Sequence, residues 1–526
     1  MKVALTVRDH IERAELVYGA RVGVVDEPDQ PAPPLTAVDG GPLTYAALAE
    51  RSRALAAGAE SLGVPQGGRV AMVSQNSARL LTLLYGAAGS GRIAVPINFR
   101  LSPAEVAYIV EHSGADVLLV DPELEESLAG VDAPTKLTID TDTDEIVYRH
   151  DLEASPWEPD EDATAFINYT SGTTARPKGV EMTHRNAWVN AATFGWQAGV
   201  SDRDVYLHTL PMFHCNGWGM PFATAAMGAT QVVLRKVDGA EILRRVDEHG
   251  VTLMCGAPAV VSMVLDAAGS WDGEIPGRGR VRIVVAGAPP PTAIIERVET
   301  ELGWEFIQIY GLTETAPLLT MNRTRSEWDD LDPGERARKL VRAGAPALGV
   351  RLTTDTDGEL LARGNTVLKS YWHQPDATED ALAGGWFHTG DGAVIDDENY
   401  VTIVDRKKDV IISGGENVSS IEVEDALFSH PSVTEVAVIG IPSDKWGETV
   451  TALVVLDPDS DLAALADTDP DSVQRELIAH CRGLLAHYKC PTTVEVRTEL
   501  ERTATGKLQK YKLRAPYWEG RDRMVN

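Results

Sequence analysis

Hydrophobic positions along this chain switch repeatedly between two periods. Over 43–62, "LTYAALAERSRALAAGAESL", Ala and Leu recur at helical spacing behind Thr44, whose hydroxyl suits an N-cap. "RVAMVSQNS" at 69–77 predicts a buried strand and a turn. "SPAEVAYIVEHSGADVLLVD" at 102–121 predicts a helix, a glycine stop and a second strand. The same order returns at 239–256 and 281–309, with no short-period repeat. Strands alternating with helices predict an α/β fold with mostly parallel sheets.

The pattern changes near residue 400. "YVTIVDRKKDVIISGG" alternates apolar and polar residues, breaks at "DRKKD" and resumes. "SSIEVEDALFSHPSVTEVAVIGIP" then predicts a helix and a strand with their own amphipathic pattern. A chain of 526 residues is too long for one core, which stops growing at about 250–300 residues. A large N-terminal α/β domain and a compact C-terminal α+β domain are expected. "DPDSDLAALADTDPDS" at 457–472, acidic and proline-containing, reads as an exposed loop.

Composition narrows the function. A formal net charge of −30 argues against broad binding to nucleic acid or an anionic membrane. Any anionic substrate must therefore meet a locally positive site. Cys215, Cys255, Cys481 and Cys490 form no C-x-x-C pair, which disfavours zinc and dithiol chemistry. "MKVALTVRDH" is too short in apolar residues for a signal peptide, and no stretch reaches the ~20 residues of a membrane span. A cytoplasmic location follows as the expectation.

"YTSGTTARPKG" at 169–179 packs hydroxyls, glycines and cations together, as a phosphate site requires. It lacks the G-x-x-x-x-G-K-[ST] order of a Walker loop, and its flanks "FINY" and "GVEM" predict a strand on either side. Alone it equally suits a plain surface loop. "YGLTET" at 310–315 follows the predicted strand "WEFIQI", at a strand end where open α/β sheets bind ligands. "GWFHTGD" at 385–391 ends in Gly390-Asp391, suited to a ribose diol. "DRKKD" at 405–409 supplies cations, and "TATGKLQK" at 503–510 sets Lys507 after a glycine. Each has a dull alternative as a turn, a cap or a solvated charge run.

In this order and spacing the five motifs resemble the adenylate-forming superfamily of acyl- and aryl-CoA synthetases, luciferases and adenylation domains. "LPMFHCNGWGMPF" at 210–222 looks most like the fatty- and carboxylic-acid CoA ligases. The resemblance implies an N-terminal ATP- and acid-binding domain at 1–404, a hinge at 405–409 and a mobile C-terminal domain at 410–526. It implies two half-reactions. A carboxylate first attacks the α-phosphate of ATP, with pyrophosphate leaving; the thiol of CoA then displaces AMP.

Carried onto this chain, Thr170, Ser171, Gly172, Thr173, Thr174 and Lys178 would cradle the leaving phosphates. Thr170 and Glu314 would sit at Mg²⁺. Tyr310 would stack on adenine, with Gly287 and Ala288 lining the base pocket, and Gly311 and Thr313 would also belong to the cofactor-binding set. Asp391 and Arg406 would hold the ribose. Lys507 would reach the α-phosphate. Lys408 would be the pivot, and Gly414 and Gly415 would line the pantetheine path. His214 is either a gate between acyl carbonyl and thiol or a packing residue. Ala175 stands where the family's loop usually has glycine.

A carboxylic acid, expected to be a fatty acid of short to medium or longer chain, ATP and CoA are thus the implied substrates. A carrier-protein pantetheine is an alternative acceptor, an aryl acid an alternative substrate, a homodimer an open assembly state, and an inactive nucleotide-binding protein the third reading. Residues 210–234 contain no Asp, Glu, Lys or Arg, which favours an uncharged acyl tail over an amino acid. Phe213, Trp218, Met220 and Phe222 are candidate pocket or core residues.

Overall fold

The structure, a computed structural model, describes the chain apart from residues 38–39, 171–175, 407–408, 414–415, 444–445, 503–507 and 520–526, and apart from the side chain of Arg406. The expected alternation is present. Thr44 caps the Tyr45–Ser61 helix by accepting from the Ala47 N–H. Gly114 ends the Pro103–Ser113 helix in the left-handed conformation, and the Val117–Val120 strand follows.

Two large sheets carry the N-terminal part. In the nine-stranded one, six neighbouring strands from Val22–Val25 to Glu305–Gly311 run parallel. The Leu318–Arg323 strand then turns back antiparallel. In the seven-stranded sheet the strands from Thr135–Thr138 to Thr164–Thr170 are parallel. Lys178–Thr183 and Ser370–Tyr371 extend its edge antiparallel. Buried Glu181 fastens that edge, accepting from the hydroxyls of Thr164 and Ser370 and pairing with Lys369 at 3.2 Å. A four-stranded antiparallel sheet, Arg351–Thr354 to Val401–Arg406, completes this part.

Residues beyond 410 build their own mixed sheet around the long Val433–Ser443 and Gly447–Leu456 hairpin, with a separate apolar core. The segment 457–472 is not simply a loop. It contains the Asp461–Leu465 helix and the first turn of Pro470–Leu484, capped by Ser460 and Asp469. Leu462 is buried there, so a single apolar position in an acidic stretch docks its first helix.

The two parts are joined by polar contacts. The Asp405 carboxylate accepts from the N–H and hydroxyl of Ser420, at 2.8 and 2.6 Å. Asp425 accepts from the Thr292 N–H at 2.9 Å. Within the C-terminal part, mostly buried Lys510 donates to Ser420 and pairs with Glu424 at 2.7 Å. Burial alone would lower the Lys510 ammonium, but the carboxylates of Glu424, Asp405 and Asp409 together outweigh it and the pKa rises. Removing one member of such a pair strands the other, at a cost of about 3–5 kcal/mol. Lys510→Met is therefore expected to lower the urea midpoint of the C-terminal part. The double change Lys510→Met with Glu424→Leu should recover most of the loss. An unchanged midpoint in the single variant would refute the pair's role.

Candidate active site

Site residues gather where parallel strands end, as open α/β sheets dictate. Tyr310 and Gly311 end the Glu305–Gly311 strand, and Thr313 and Glu314 form the turn after it. Gly287 and Ala288 follow the adjacent Arg282–Val285 strand. Gly287 has φ 93 with open space where a Cβ would stand, so glycine is required by its backbone. Gly311 is required by crowding, since a Cβ there would meet the Pro317 carbonyl at 1.6 Å. His214 lies beyond the Val205–His208 strand.

Thr170 and Lys178 face each other across the ends of two antiparallel strands. The phosphate motif therefore does join strand to strand. The Lys178 ammonium lies 4.8 Å from the Tyr371 ring centroid. The Tyr371 hydroxyl donates to Glu314 Oε1 at 2.9 Å. Burial first, and the Glu314 charge second, raise the Tyr371 pKa, so this phenol stays a donor. One tyrosine thus brings the phosphate-motif lysine and the Glu314 carboxylate into one corner. Tyr371 was not singled out in the sequence because a two-residue strand has no readable period.

Four residues before Glu314, the Tyr310 hydroxyl donates to Asp391 Oδ2 at 2.7 Å. Asp391 is the cross-strand partner of Arg406 in the four-stranded sheet. The structure therefore brings Tyr310, Asp391 and the Arg406 backbone together from distant segments. Gln308 precedes Tyr310 by two residues, the spacing of one strand face, and its buried Oε1 has no hydrogen-bond partner. It is a further candidate that sequence reading missed. The assignments at Ser171, Gly172, Thr173, Thr174, Ala175, Lys408, Gly414, Gly415 and Lys507 lie outside the described residues, as does the Arg406 side chain.

The stems of the phosphate motif are clasped from outside. His112 Nδ1 meets the Tyr169 hydroxyl at 2.8 Å, and the Tyr108 hydroxyl donates to the Pro177 carbonyl at 3.4 Å. Arg176 lies over the Tyr108 ring, and the Trp372 indole N–H donates to the His112 carbonyl at 3.2 Å.

The segment after His214 is unusual. Cys215, Asn216, Gly217, Trp218 and Gly219 have φ of 46, 52, 60, 60 and 77, a left-handed turn. Each non-glycine residue there costs roughly 1–2 kcal/mol, asparagine least. Cys215 Sγ lies 4.0 Å from the Thr313 carbonyl, and burial, then the Glu314 charge, push its thiol pKa up. Phe213 packs edge-on against Phe99. Met220 and Phe222 are wholly buried, Phe222 among His10, Tyr85 and Phe166. These two are core residues.

Among the described residues no group of three or more His, Cys, Asp or Glu side chains could hold a metal. Glu314 is a single hard carboxylate close to the phosphate-motif corner. That donor set fits Mg²⁺, which keeps waters and substrate phosphates in its shell and needs one or two protein oxygens.

The AMP-binding enzyme family matches residues 23–372, and the C-terminal domain of the same family matches residues 422–507. The 2-methylpropanoate–CoA ligase CCL4 of Humulus lupulus is 35% identical over 97% of this chain and 94% of its own. The peroxisomal acetate/butyrate–CoA ligase AAE7 of Arabidopsis thaliana is 33% identical over 97% and 94%. Among solved structures, the anthranilate CoA ligase AuaEII in complex with anthranoyl-AMP superposes with a TM-score of 0.85 at 26% identity, over 98% of each chain. The chain belongs to the AMP-binding enzyme family, within its adenylate-forming acyl- and aryl-CoA synthetases.

Proposed function

We propose that this enzyme joins a short, uncharged aliphatic acid, straight or branched, to CoA at the expense of ATP. The observation that carries the reading is the contact between Tyr310 and Asp391 beside the Lys178–Tyr371–Glu314 corner. A base stacked on Tyr310 leaves its ribose at Asp391 and its phosphates toward Lys178. Gln308 Oε1 is then an acceptor for the amino group of that base, and Gly287 and Ala288 leave the base room.

In the first half-reaction a carboxylate oxygen bonds to the α-phosphorus while the bond to the bridging oxygen breaks and pyrophosphate leaves. Thr170 and Lys178 hold the departing phosphates, together with Ser171 to Thr174, and Lys507 faces the α-phosphate. Glu314 and Thr170 would hold Mg²⁺, which would supply neutralisation of phosphate charge. In the second, the CoA sulfur bonds to the acyl carbon and AMP leaves. Rotation about Lys408 withdraws Lys507 and brings Gly414 and Gly415 to the pantetheine arm, with His214 as the gate. Residues 1–404 and 410–526 move as the two bodies.

Support for a short acid comes from relatives named for acetate, butyrate and 2-methylpropanoate, and from the absence of charged residues in 210–234. An aryl acid is the second reading, favoured by the likeness to the anthranilate ligase. CoA is preferred to a carrier protein as acceptor. We also assign the enzyme to the cytoplasm; no described helix is long and apolar enough to cross a membrane, and the Arabidopsis relative is named as peroxisomal.

Pyrophosphate release with ATP, followed by thioester detection with CoA, tests the reaction. A panel of straight, branched and aryl acids and amino acids, scored by kcat/KM, tests the substrate. The best kcat/KM is expected among short acids, of the size of the acetate, butyrate and 2-methylpropanoate for which the relatives are named. Preference for an amino acid would overturn the reading. Preference for benzoate or anthranilate would replace the aliphatic acid by the aryl one.

A further inference from the structure

Four buried asparagines surround the chain from residue 208 to residue 218. Asn76 donates to the carbonyls of His208 and Leu210 at 2.9 and 2.8 Å and accepts from the Met212 N–H at 2.8 Å. Asn190 donates to the Trp218 carbonyl and accepts from the Leu318 N–H, both at 3.1 Å. Asn168 is 1% exposed; it donates to the Phe213 carbonyl at 3.3 Å and to Asn216 Oδ1 at 3.1 Å. Asn216 is itself 1% exposed and turns its other end to the Met182 sulfur at 3.6 Å.

Asn168 lies in the Thr164–Thr170 strand, two residues before Thr170. Its carboxamide brackets His214, gripping the residue before it and the second residue after it. A left-handed turn does not hold itself, because its backbone conformation is unfavourable for Cys215 and Trp218. Something outside the turn must over-determine it, and the Asn168–Asn216 pair is a direct side-chain tie from the phosphate strand.

We propose that the Asn168–Asn216 pair is a positioning element of the reaction, setting the turn at His214, and with it the acid side of the site, from the strand that delivers the phosphate motif. The inference rests on the functional reading above. Asn216 then does more than tolerate a positive φ. If tolerance were its whole role, glycine would serve equally well, since glycine adopts φ 52 without strain. Asn216→Gly keeps the backbone and removes only the carboxamide. Asn168→Ala cuts the same tie from the other end while leaving every residue of the turn in place. Thr170 and Lys178 stay paired by their own strand register in both variants.

Both variants, purified as the full chain, are compared with wild type in pyrophosphate release and thermal melting. In each, KM for the acid is expected to rise about tenfold and the kcat/KM ratio between the best and the next longer acid to flatten, because misplacement by a fraction of an ångström costs about that much. KM for ATP should stay within twofold. The double variant should lose less than the sum of the two singles, since both cut the Asn168–Asn216 tie. Wild-type KM for the acid and an unchanged acid ratio in either folded variant would overturn the inference alone. Additive losses in the double variant would overturn it too. A wild-type protein that releases no pyrophosphate with any acid overturns the functional reading, and this inference with it.

Discussion

Lys507→Ala is expected to lose adenylate formation by about 10²–10³-fold and still to convert supplied acyl-adenylate and CoA to thioester. In the proposed reaction negative charge builds where a carboxylate meets an α-phosphate, and a single ammonium on a long stem answers it only in the first half-reaction. The described residues on either side of 503–507 are held to one another. Arg502 and Leu508 form a β-bridge, Gln509 donates its N–H to the Glu501 carbonyl at 2.9 Å, and Lys510 pairs with Glu424. Alanine at 507 removes a charge and touches none of these contacts. Pyrophosphate release and single-turnover thioester formation, measured separately, check this. Equal losses in both half-reactions would count against the rotation of the C-terminal part.

Glu314→Gln should slow adenylation roughly 100-fold at low Mg²⁺, with partial recovery as Mg²⁺ is raised. A neutral amide is a poorer oxygen ligand for a hard dication. The substitution is conservative in every other respect. Glutamine keeps an Oε1 that can accept from the Tyr371 hydroxyl, and the Leu368 N–H donates to the backbone carbonyl of residue 314, which is unchanged. An altered Mg²⁺ dependence with an unchanged melting temperature thus reports on charge. Wild-type rates at every Mg²⁺ concentration would remove Glu314 from the metal site.

Much of this molecule was legible along the chain. Periodicity located the Tyr45–Ser61 and Pro103–Ser113 helices with their caps, because helix ends are decided by neighbouring residues. The antiparallel strands around the phosphate motif, Thr164–Thr170 and Lys178–Thr183, were readable for the same reason. Motif order named the family, since five ordered patterns constrain one another far more than any single one does.

Other features were decided only in three dimensions. Acidic composition hid the Asp461–Leu465 helix, whose docking needs a single buried leucine. Phe222 and Met220 were equally good pocket or core residues until packing put them in the core. The left-handed turn had a local signal in "CNGWG", whose Asn and two Gly tolerate positive φ, but a signal of tolerance does not say which conformation is adopted. Tyr371 joins Lys178 to Glu314, Tyr310 meets Asp391, and Asn168 grips Asn216, each across tens of residues or more. Sequence by itself determined the elements, the family and the chemical inventory, because those depend on local propensity and ordered motifs. Tertiary structure alone decided which of these groups touch, because a side-chain contact depends on how sheets and strand ends pack, and the sequence separation of two residues carries no record of that.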